Sequence, residues 1–339
     1  MNLATVLTLS LTGLGAFLIA ALIGRWMIPV LHKWKFGQTI RDIGPSWHKN
    51  KQGTPTMGGL IFIAAWVLAL VAGSVALALI GAASMTQWLR TYGSPLLLAL
   101  GCGAIGFADD YIKVIKKRNL GLTGRQKLLA QLLVAAAYAA ALFAEHGGSP
   151  QMLVPFVGRV DLGLWIVPIV IFVVVGTTNA TNLTDGVDGL CGSVTFVAAL
   201  FFVAVGCVGY QWGLVSYGLI AAALAGALAG FLLYNLHPAR VFMGDTGSLF
   251  IGGVLCALAF EMEIPLLLIP VGIVYIAETL SVMLQVSYFK LTHGKRLFKM
   301  SPLHHHFELS GWSENKIVGV FSFLTLIGGA AALLLYVYA

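Results

Sequence analysis

The chain has 339 residues, of which 59% are hydrophobic and only 10% are charged, with a formal net charge of +7 and a mean hydropathy of +0.91. Soluble globular proteins carry about 25% charged residues, so this composition excludes a water-soluble globular domain, and the high apolar content excludes a disordered chain. The composition predicts a polytopic membrane protein.

Ten apolar runs, each close to the roughly 20 residues that a helix needs to cross a bilayer, follow one another along the chain. They cover residues 5–31, 58–80, 95–112, 128–144, 162–180, 192–210, 214–234, 247–262, 265–289 and 317–338. We therefore expect an all-α membrane protein with about ten transmembrane helices, in one domain over residues 1–339. Pro265 and Pro270 predict a bend in the ninth run. Three glycines in the third run, Gly101, Gly103 and Gly106, predict close helix packing rather than dinucleotide binding.

The basic residues are concentrated in every second connection between these runs. Of the 20 lysines and arginines, only Arg90 and Arg159 lie in the other connections, and Arg25 lies at the end of the first run. Cytoplasmic loops are enriched in Lys and Arg, so we expect the basic connections in the cytoplasm and both termini in the periplasm. The positive charge therefore indicates membrane orientation, and it does not indicate a nucleic-acid partner.

The second run is preceded by Lys51, Thr54, Pro55 and Thr56. A Thr or Thr-Pro cap with flanking lysines is typical of a helix start that binds phosphate. The spacing of a P-loop is absent.

Two adjacent carboxylates, Asp109 and Asp110, end the third run at its cytoplasmic boundary. Acids at such positions are costly in a membrane and are functional candidates. Lys113 follows at i+4 and i+3, so one ammonium group can reach both on a helix. Because a helix C-terminus disfavours anions, the pair predicts a metal ion or a functional lysine. A hydrated helix end with an ion pair is the structural alternative.

Two further cytoplasmic segments are polar. Residues 179–190 contain Asn182, Asp185 and Asp188 but no basic residue, and such a glycine-punctuated loop can wrap a ligand. Helix capping would account for one aspartate only. Residues 235–248 place Asp245 in a Gly-Asp-Thr-Gly turn, where we expect it either to cap the eighth helix or to belong to a site.

The last cytoplasmic connection carries His304, His305 and His306, followed by Phe307 and Glu308. Consecutive side chains point in different directions and no HExxH motif is present, so imidazoles beside phosphates are favoured over zinc ligands or a merely solvated run. Carboxylates, lysines and helix N-termini on one rim together predict Mg²⁺-assisted phosphoryl chemistry between a soluble phosphate-bearing substrate and a lipid.

Five segments resemble the phospho-N-acetylmuramoyl-pentapeptide transferase family, within the polyprenyl-phosphate N-acetylhexosamine 1-phosphate transferase superfamily. They are KQGTPTMGG at 51–59, FADDYIK at 107–113, NLTDGVDGL at 182–190, FMGDTGS at 242–248 and PLHHHFE at 302–308. The resemblance implies transfer of phospho-N-acetylmuramoyl-pentapeptide from UDP to undecaprenyl phosphate, with Mg²⁺ and release of UMP. It also implies a homodimer in the bacterial inner membrane, with an active-site cleft that faces the cytoplasm.

The resemblance further implies roles for single residues. The catalytic acids would be Asp109, Asp110 and Asp245, with Asp245 as the Mg²⁺ ligand. The residues around the uridine would be Lys51, Asp188, Asn235 and Phe242, with Phe242 stacked on the base. The pyrophosphate and sugar region would be lined by Asn182, Asp185, His304 and His305, with Lys113 close by. Thr56 and His306 complete the expected substrate-binding set.

Several alternatives stay open at this point. An in-line displacement with Asp109 orienting or deprotonating the lipid phosphate competes with a route through an aspartyl-phosphate. A sibling enzyme that transfers N-acetylglucosamine 1-phosphate to the same lipid is disfavoured by the histidine segment, and an ion-coupled transporter by the position of the acids on one rim.

The bent ninth run is expected to form the groove for the polyprenyl chain. Glu278 in that run is either turned to a hydrated cleft or paired.

Overall fold

The computed structural model describes residues 1–33, 53–115 and 121–338. Over these residues the chain forms helices α1 to α12 and one β-hairpin. The helices are α1 (Leu3–Lys33), α2 (Gly59–Leu79), α3 (Trp88–Ile115), α4 (Gly124–Glu145), α5 (Ile166–Thr184), α6 (Leu190–Val208), α7 (Val215–Asn235), α8 (Gly244–Glu261), α9 (Leu268–Val271), α10 (Ile273–Leu291), α11 (Leu303–Glu308) and α12 (Glu314–Tyr338).

The long helices confirm a polytopic membrane protein. Among the described residues, nine helices are long and apolar enough to cross a membrane, and a bent pair brings the number to ten if it is one span. That pair joins Pro265–Val271 to Ile273–Leu291 at an angle of 79°. The predicted bend is therefore confirmed. It falls at Gly272, directly after the segment that holds both prolines.

The prediction of an all-α chain misses a hairpin between α4 and α5. Strands β1 (Gln151–Val154) and β2 (Gly158–Asp161) pair antiparallel. The hairpin is tied to the turn after α8, because the Leu153 N–H donates to the Glu263 carbonyl at 2.7 Å and Arg159 forms an ion pair with the Glu263 carboxylate. These long-range contacts stabilise strands too short for a strong sequence pattern.

Helix α8 lies at the centre of the bundle. Every residue from Thr246 to Glu261 is buried. Its neighbours approach it through glycine: a Cβ at Gly106 of α3 would clash with the Asp245 carbonyl oxygen, and a Cβ at Gly59 of α2 would clash with the Gly247 backbone. The prediction that Gly106 serves helix packing is confirmed, and this contact brings the end of α3 beside the start of α8.

The predicted Thr cap of α2 is wrong. Gly58 precedes the helix, and no side chain caps it. The first N–H groups are bonded instead to a distant loop, since Gly58 donates to the Phe242 carbonyl at 2.8 Å and Gly59 donates to the Met243 carbonyl at 2.9 Å. This helix start is therefore not free to bind phosphate through these two amides.

Candidate active site

Three aspartates from two helices meet where α3 ends and α8 begins. Asp109, Asp110 and Asp245 each offer a carboxylate oxygen, and these oxygens lie within 4.8 Å of one another. Asp109 and Asp110 are buried, with exposed fractions of 3% and 2%. Of the two alternatives for Asp245, the cap of α8 is excluded, because Met243 occupies that position and Asp245 lies in the first turn. A helix N-terminus favours an anion there.

Two lysines form ion pairs with the three carboxylates of this cluster. The Lys113 Nζ lies 2.5 Å from Asp109 Oδ2, 3.6 Å from Asp110 Oδ1 and 3.1 Å from Asp245 Oδ2. The reach predicted from the i+4 and i+3 spacing is therefore confirmed. The Lys127 Nζ, from the first turn of α4, lies 2.9 Å from Asp245 Oδ2.

Sequence reasoning missed Lys127, which was counted only as a signal of membrane orientation. A signal was present. Gln131 follows at i+4 inside an apolar run, so both side chains share one face of α4. The Gln131 amide donates to Thr178 Oγ1 at 3.2 Å and accepts from the Asn179 amide at 3.1 Å. These bonds hold α4 against α5, with Lys127 at the cluster.

Asn182 completes the contacts of Asp245. Its Nδ2 donates to Asp245 Oδ1 at 2.8 Å and lies 2.9 Å from Ser248 Oγ, while Lys127 Nζ lies 3.5 Å from Asn182 Oδ1. The structure thus brings Asn182 of α5, predicted as a site residue, to the same carboxylate as Lys127.

The two aspartates of α3 are held differently. Asp110 Oδ2 accepts bonds from the Thr246 N–H at 2.9 Å and from the Thr246 hydroxyl at 2.7 Å. Asp109 Oδ1 accepts one from the Leu122 N–H at 2.8 Å. Asp110 is thereby fixed to α8, whereas Asp109 is held by the loop before α4 and by Lys113. Thr246 is a second residue that sequence reasoning missed.

Thr56 lies at the edge of the cluster. Gly244 has a φ of +70°, in the left-handed region that favours glycine. A Cβ at Gly244 would lie 2.5 Å from Asp110 Oδ2 and 2.6 Å from Thr56 Oγ1. Gly244 therefore permits the close approach of both side chains.

The loop between α5 and α6 carries Asp185 and Asp188. Asp188 is buried and does not cap α6. Its Oδ2 accepts the Ala239 N–H at 3.0 Å and lies 3.0 Å from His237 Nδ1, which is also 3.3 Å from a carboxylate oxygen of Glu314. Asp188, His237 and Glu314 form a second group with suitable spacing for a cation among the described residues.

Asp185 interacts electrostatically with members of both acidic groups. Burial, reinforced by the negative charges of Asp245, Asp110 and Asp188, raises the pKa of Asp185 to about 8. The negative charges of the carboxylate cluster therefore disfavour ionisation of Asp185, and a cation bound nearby would lower the pKa of Asp185.

Asn235 and Phe242 flank the loop that connects α7 to α8. The Asn235 Nδ2 donates to the Val241 carbonyl at 2.9 Å, and its buried Oδ1 has no hydrogen-bond partner among the described residues. Phe242 is half-buried, and its N–H donates to the Pro55 carbonyl at 2.8 Å. Lys51, expected beside them, lies outside the described residues.

The histidine segment forms the short helix α11 rather than an irregular loop. Its side chains point in different directions, as predicted. His304 is fully buried, His305 Nδ1 lies 2.7 Å from Glu308 Oε2, and His306 Nδ1 accepts the Lys299 N–H at 3.2 Å. None of the three belongs to a metal-binding group among the described residues.

Comparisons with known proteins identify close relatives. Residues 92–263 match Glycosyl transferase family 4, and residues 51–63 match Phospho-N-acetylmuramoyl-pentapeptide-transferase signature 1. The phospho-N-acetylmuramoyl-pentapeptide-transferase of Caldanaerobacter subterraneus subsp. tengcongensis is 48% identical over 313 residues, which are 92% of this chain and 93% of the relative. The proteins of that name from Clostridium perfringens and Acetivibrio thermocellus are 46% and 45% identical, over 92% of this chain and 93% and 90% of the relatives.

Proposed function

The chain belongs to the phospho-N-acetylmuramoyl-pentapeptide-transferase family, and we propose that it transfers phospho-N-acetylmuramoyl-pentapeptide from UDP to undecaprenyl phosphate. One observation carries this proposal. Asp109, Asp110 and Asp245 lie within 4.8 Å of one another with two lysines among them, at one end of a membrane bundle. Such a site suits two anionic substrates that repel each other.

The reaction is a phosphoryl-group transfer in which charge must be offset. An oxygen of the lipid phosphate attacks the β-phosphorus of the UDP-sugar. The bond from that phosphorus to the bridging oxygen breaks, and UMP leaves with the electron pair. Lys113 and Lys127 offer fixed positive charge, and catalysis of this kind depends mainly on positioning and electrostatic stabilisation.

The donor set of the cluster fits Mg²⁺, because Mg²⁺ prefers hard carboxylate oxygens and shares its remaining positions with substrate phosphates. Asp245 would hold the ion, with Asp109 and Asp110 within reach. When bound, the ion supplies positive charge to the pyrophosphate and to the leaving UMP. Asn182 and Lys127 orient the Asp245 carboxylate through contacts of 2.8 and 2.9 Å.

We propose Asp109 as the residue that orients the lipid phosphate or removes its proton. Asp110 already accepts two hydrogen bonds from Thr246 on one oxygen, which fixes it as a structural anchor of the cluster. Asp109 is held by Leu122 and Lys113 and can orient or deprotonate the acceptor phosphate in a one-step displacement. Isolation of a phospho-sugar adduct of the enzyme, formed without undecaprenyl phosphate, would overturn this mechanism in favour of the covalent route.

The uridine is assigned to the loop between α7 and α8. The buried Oδ1 of Asn235 is an acceptor without a hydrogen-bond partner in the part of the chain that the structure describes, which suits the imide N–H of uracil. Phe242 would stack on the base, with Lys51 and Asp188 beside it. The pyrophosphate and sugar would lie toward Asn182, Asp185 and Thr56, with His304, His305 and His306 at the border of that region.

Placement in the bacterial inner membrane, a cytoplasmic active site and a homodimer belong to the same proposal. The asymmetry of basic residues supports the orientation, and the dimer rests on the resemblance. The orientation is tested by the reaction of single cysteines in the 292–302 loop with a membrane-impermeant reagent, in whole cells and in inverted vesicles. The homodimer is tested by native mass spectrometry.

The deciding experiment uses the purified full chain with undecaprenyl phosphate and Mg²⁺. UMP release is measured with UDP-N-acetylmuramoyl-pentapeptide and, separately, with UDP-N-acetylglucosamine. We expect turnover with the muramoyl substrate only. Turnover restricted to the N-acetylglucosamine substrate would replace the proposal by the sibling reaction.

A further inference from the structure

A buried carboxylate of α10 faces the first histidine of α11. Glu278 and His304 are both fully buried. His304 Nδ1 lies 3.2 Å from Glu278 Oε2, and the His304 backbone N–H donates to Glu278 Oε1 at 3.2 Å. A carboxylate in a membrane-spanning helix is costly unless it is paired. The contact settles the open question about Glu278, which is paired and does not face a hydrated cleft.

The other edge of the His304 ring lies against the loop between α5 and α6. A Cβ added at Gly186 would clash with His304 Nε2, so only glycine leaves room for the ring at this distance. Gly186 directly follows Asp185, whose electrostatic partners are the acids of the cluster. The His304 ring therefore packs between Glu278 of α10 and the loop that carries Asp185 and Asp188.

The negative charge of Glu278 beside Nδ1 predicts one tautomer of His304. A carboxylate at Nδ1 favours the imidazole with a proton on Nδ1. Among the described residues, Nε2, which faces Gly186, has no hydrogen-bond partner, and neither does His304 Nδ1 or Glu278 Oε2. The 3.2 Å contact between Nδ1 and Oε2 is therefore electrostatic. His305 repeats the arrangement with Glu308, and the two rings lie 4.2 Å apart between centroids. A defined orientation of the first ring thus constrains the second.

We propose that Glu278 is a positioning residue of the active site, which acts by fixing His304 and, through its ring, both α11 and the loop at Gly186. Glu278 itself touches no substrate. The proposal rests on the proposed function, because its kinetic consequence is a slower transfer reaction. At metal sites, loss of a carboxylate that orients a ligating histidine typically costs about 10–100-fold in activity, and we expect a loss of similar size here.

The first test is spectroscopic and does not depend on turnover. The wild-type protein, labelled with ¹⁵N-histidine in lipid bilayers, is examined by solid-state NMR, and His304→Asn assigns the His304 signal among the eight histidines. We expect a proton on Nδ1 of His304. In Glu278→Gln, the amide oxygen takes the backbone N–H and the amide nitrogen faces Nδ1, so the proton should move to Nε2. A wild-type His304 protonated only on Nε2 would overturn the proposal, whether or not the variant folds.

The second test is kinetic. Glu278→Gln should lower kcat by about 10–100-fold, with the KM for undecaprenyl phosphate near the wild-type value. Glu263→Gln, at the far end of the bundle, is the matched control and should leave both the His304 signal and kcat unchanged. A folded Glu278→Gln protein with wild-type kcat and an unchanged tautomer would refute the inference. Failure of the wild type to use the muramoyl substrate refutes the proposed function alone and leaves the tautomer result standing.

A matched glycine pair tests the contact on the other side of the His304 ring. Gly186→Ala should push the His304 ring away from the loop and reduce kcat as Glu278→Gln does. Gly176→Ala introduces the same methyl group on α5, where nothing lies within 4 Å of the new Cβ, and should be neutral. Equal activity of the two alanine variants would show that the ring contact has no role in positioning.

Discussion

The backbone of Gly106 in α3 touches the carbonyl of Asp245 in α8 so closely that no side chain fits between them. This contact sets the spacing of the three site aspartates, because Asp109 and Asp110 lie one turn further along α3. Gly106→Ala should therefore separate the two helices and cost about 1–3 kcal/mol of stability through overpacking, with a large loss of turnover. Gly103→Ala is the control, since its Cβ would lie 3.4 Å or more from its neighbours. Thermal unfolding and UMP release measure both variants, and equal melting temperatures would contradict the prediction.

Lys127 should be as important as the lysine that the motif contains. It lies 2.9 Å from Asp245 Oδ2, so under the proposed function Lys127→Ala removes a fixed positive charge from beside the reacting phosphates. We expect kcat to fall by about 10²–10³-fold, as for other preorganised electrostatic groups. Arg125→Ala removes an exposed charge on the same turn and should behave like the wild type. If both variants lose activity equally, general loss of basic charge is the cause.

Thr246 should prove necessary for the rigidity of the cluster. Thr246→Val keeps the shape but removes one of the two donors to Asp110 Oδ2, and a buried carboxylate that loses a donor costs about 1–3 kcal/mol. The melting temperature and kcat should both decrease. In the control Thr325→Val, the lost hydroxyl donates, among the described residues, to the Phe321 carbonyl of the same helix and to nothing else, so the change should be small. A Thr246→Val protein with wild-type kcat would exclude this role.

Removal of the metal should abolish transfer. EDTA is expected to stop UMP release, and added Mg²⁺ to restore it, because the three carboxylates offer the hard oxygens that Mg²⁺ requires. Asp245→Asn should remain inactive at any Mg²⁺ concentration, while Asp161→Asn in the hairpin should respond like the wild type. Unchanged turnover in EDTA would eliminate the metal role.

The stability of the protein should depend on the charge of Asp185. Its pKa of about 8 in the folded state exceeds the ordinary value of 3.8, so the folded state binds more protons and stability falls as pH rises between these values. Asp185→Asn lacks this decrease. The melting temperature of Asp185→Asn minus that of the wild type should increase from pH 5 to pH 8 and then level off. All measurements are made in EDTA. Asp161→Asn should show no such trend over this range. A constant difference between Asp185→Asn and the wild type would contradict the assignment.

Much of the architecture follows from the sequence because a membrane imposes a simple rule on it. Apolar runs of bilayer length predict the helices, and acids at the ends of these runs are costly in a membrane, so Asp109, Asp110 and Asp245 are candidate site residues from the sequence alone. The contact of Lys113 with two of them followed from spacing along one helix. Such inferences depend only on neighbouring residues or on the solvent.

Contacts between segments that are distant in the sequence cannot be predicted from local patterns of residues. Lys127 and Thr246 belong to the site because α4 and the start of α8 are brought beside α3, and no local pattern encodes that. The predicted cap of α2 failed for the same reason, since the amides of Gly58 and Gly59 found carbonyls in the loop before α8. The pairing of Glu278 with His304 likewise needed the fold.

The enclosure of α8 has a consequence for biogenesis. Of the nine single spans among the described residues, α8 has the lowest hydropathy, 1.2, and it carries Asp245 at its start. A helix with so low a hydropathy inserts only weakly into lipid. However, α2, α3 and α5, which surround α8, are synthesised earlier. We expect α8 to enter the membrane by packing against these helices, so that the proposed active site assembles only after more than two thirds of the polypeptide has left the ribosome. A chain shortened before Gly244 would contain both lysines and two of the aspartates and would still be unable to react.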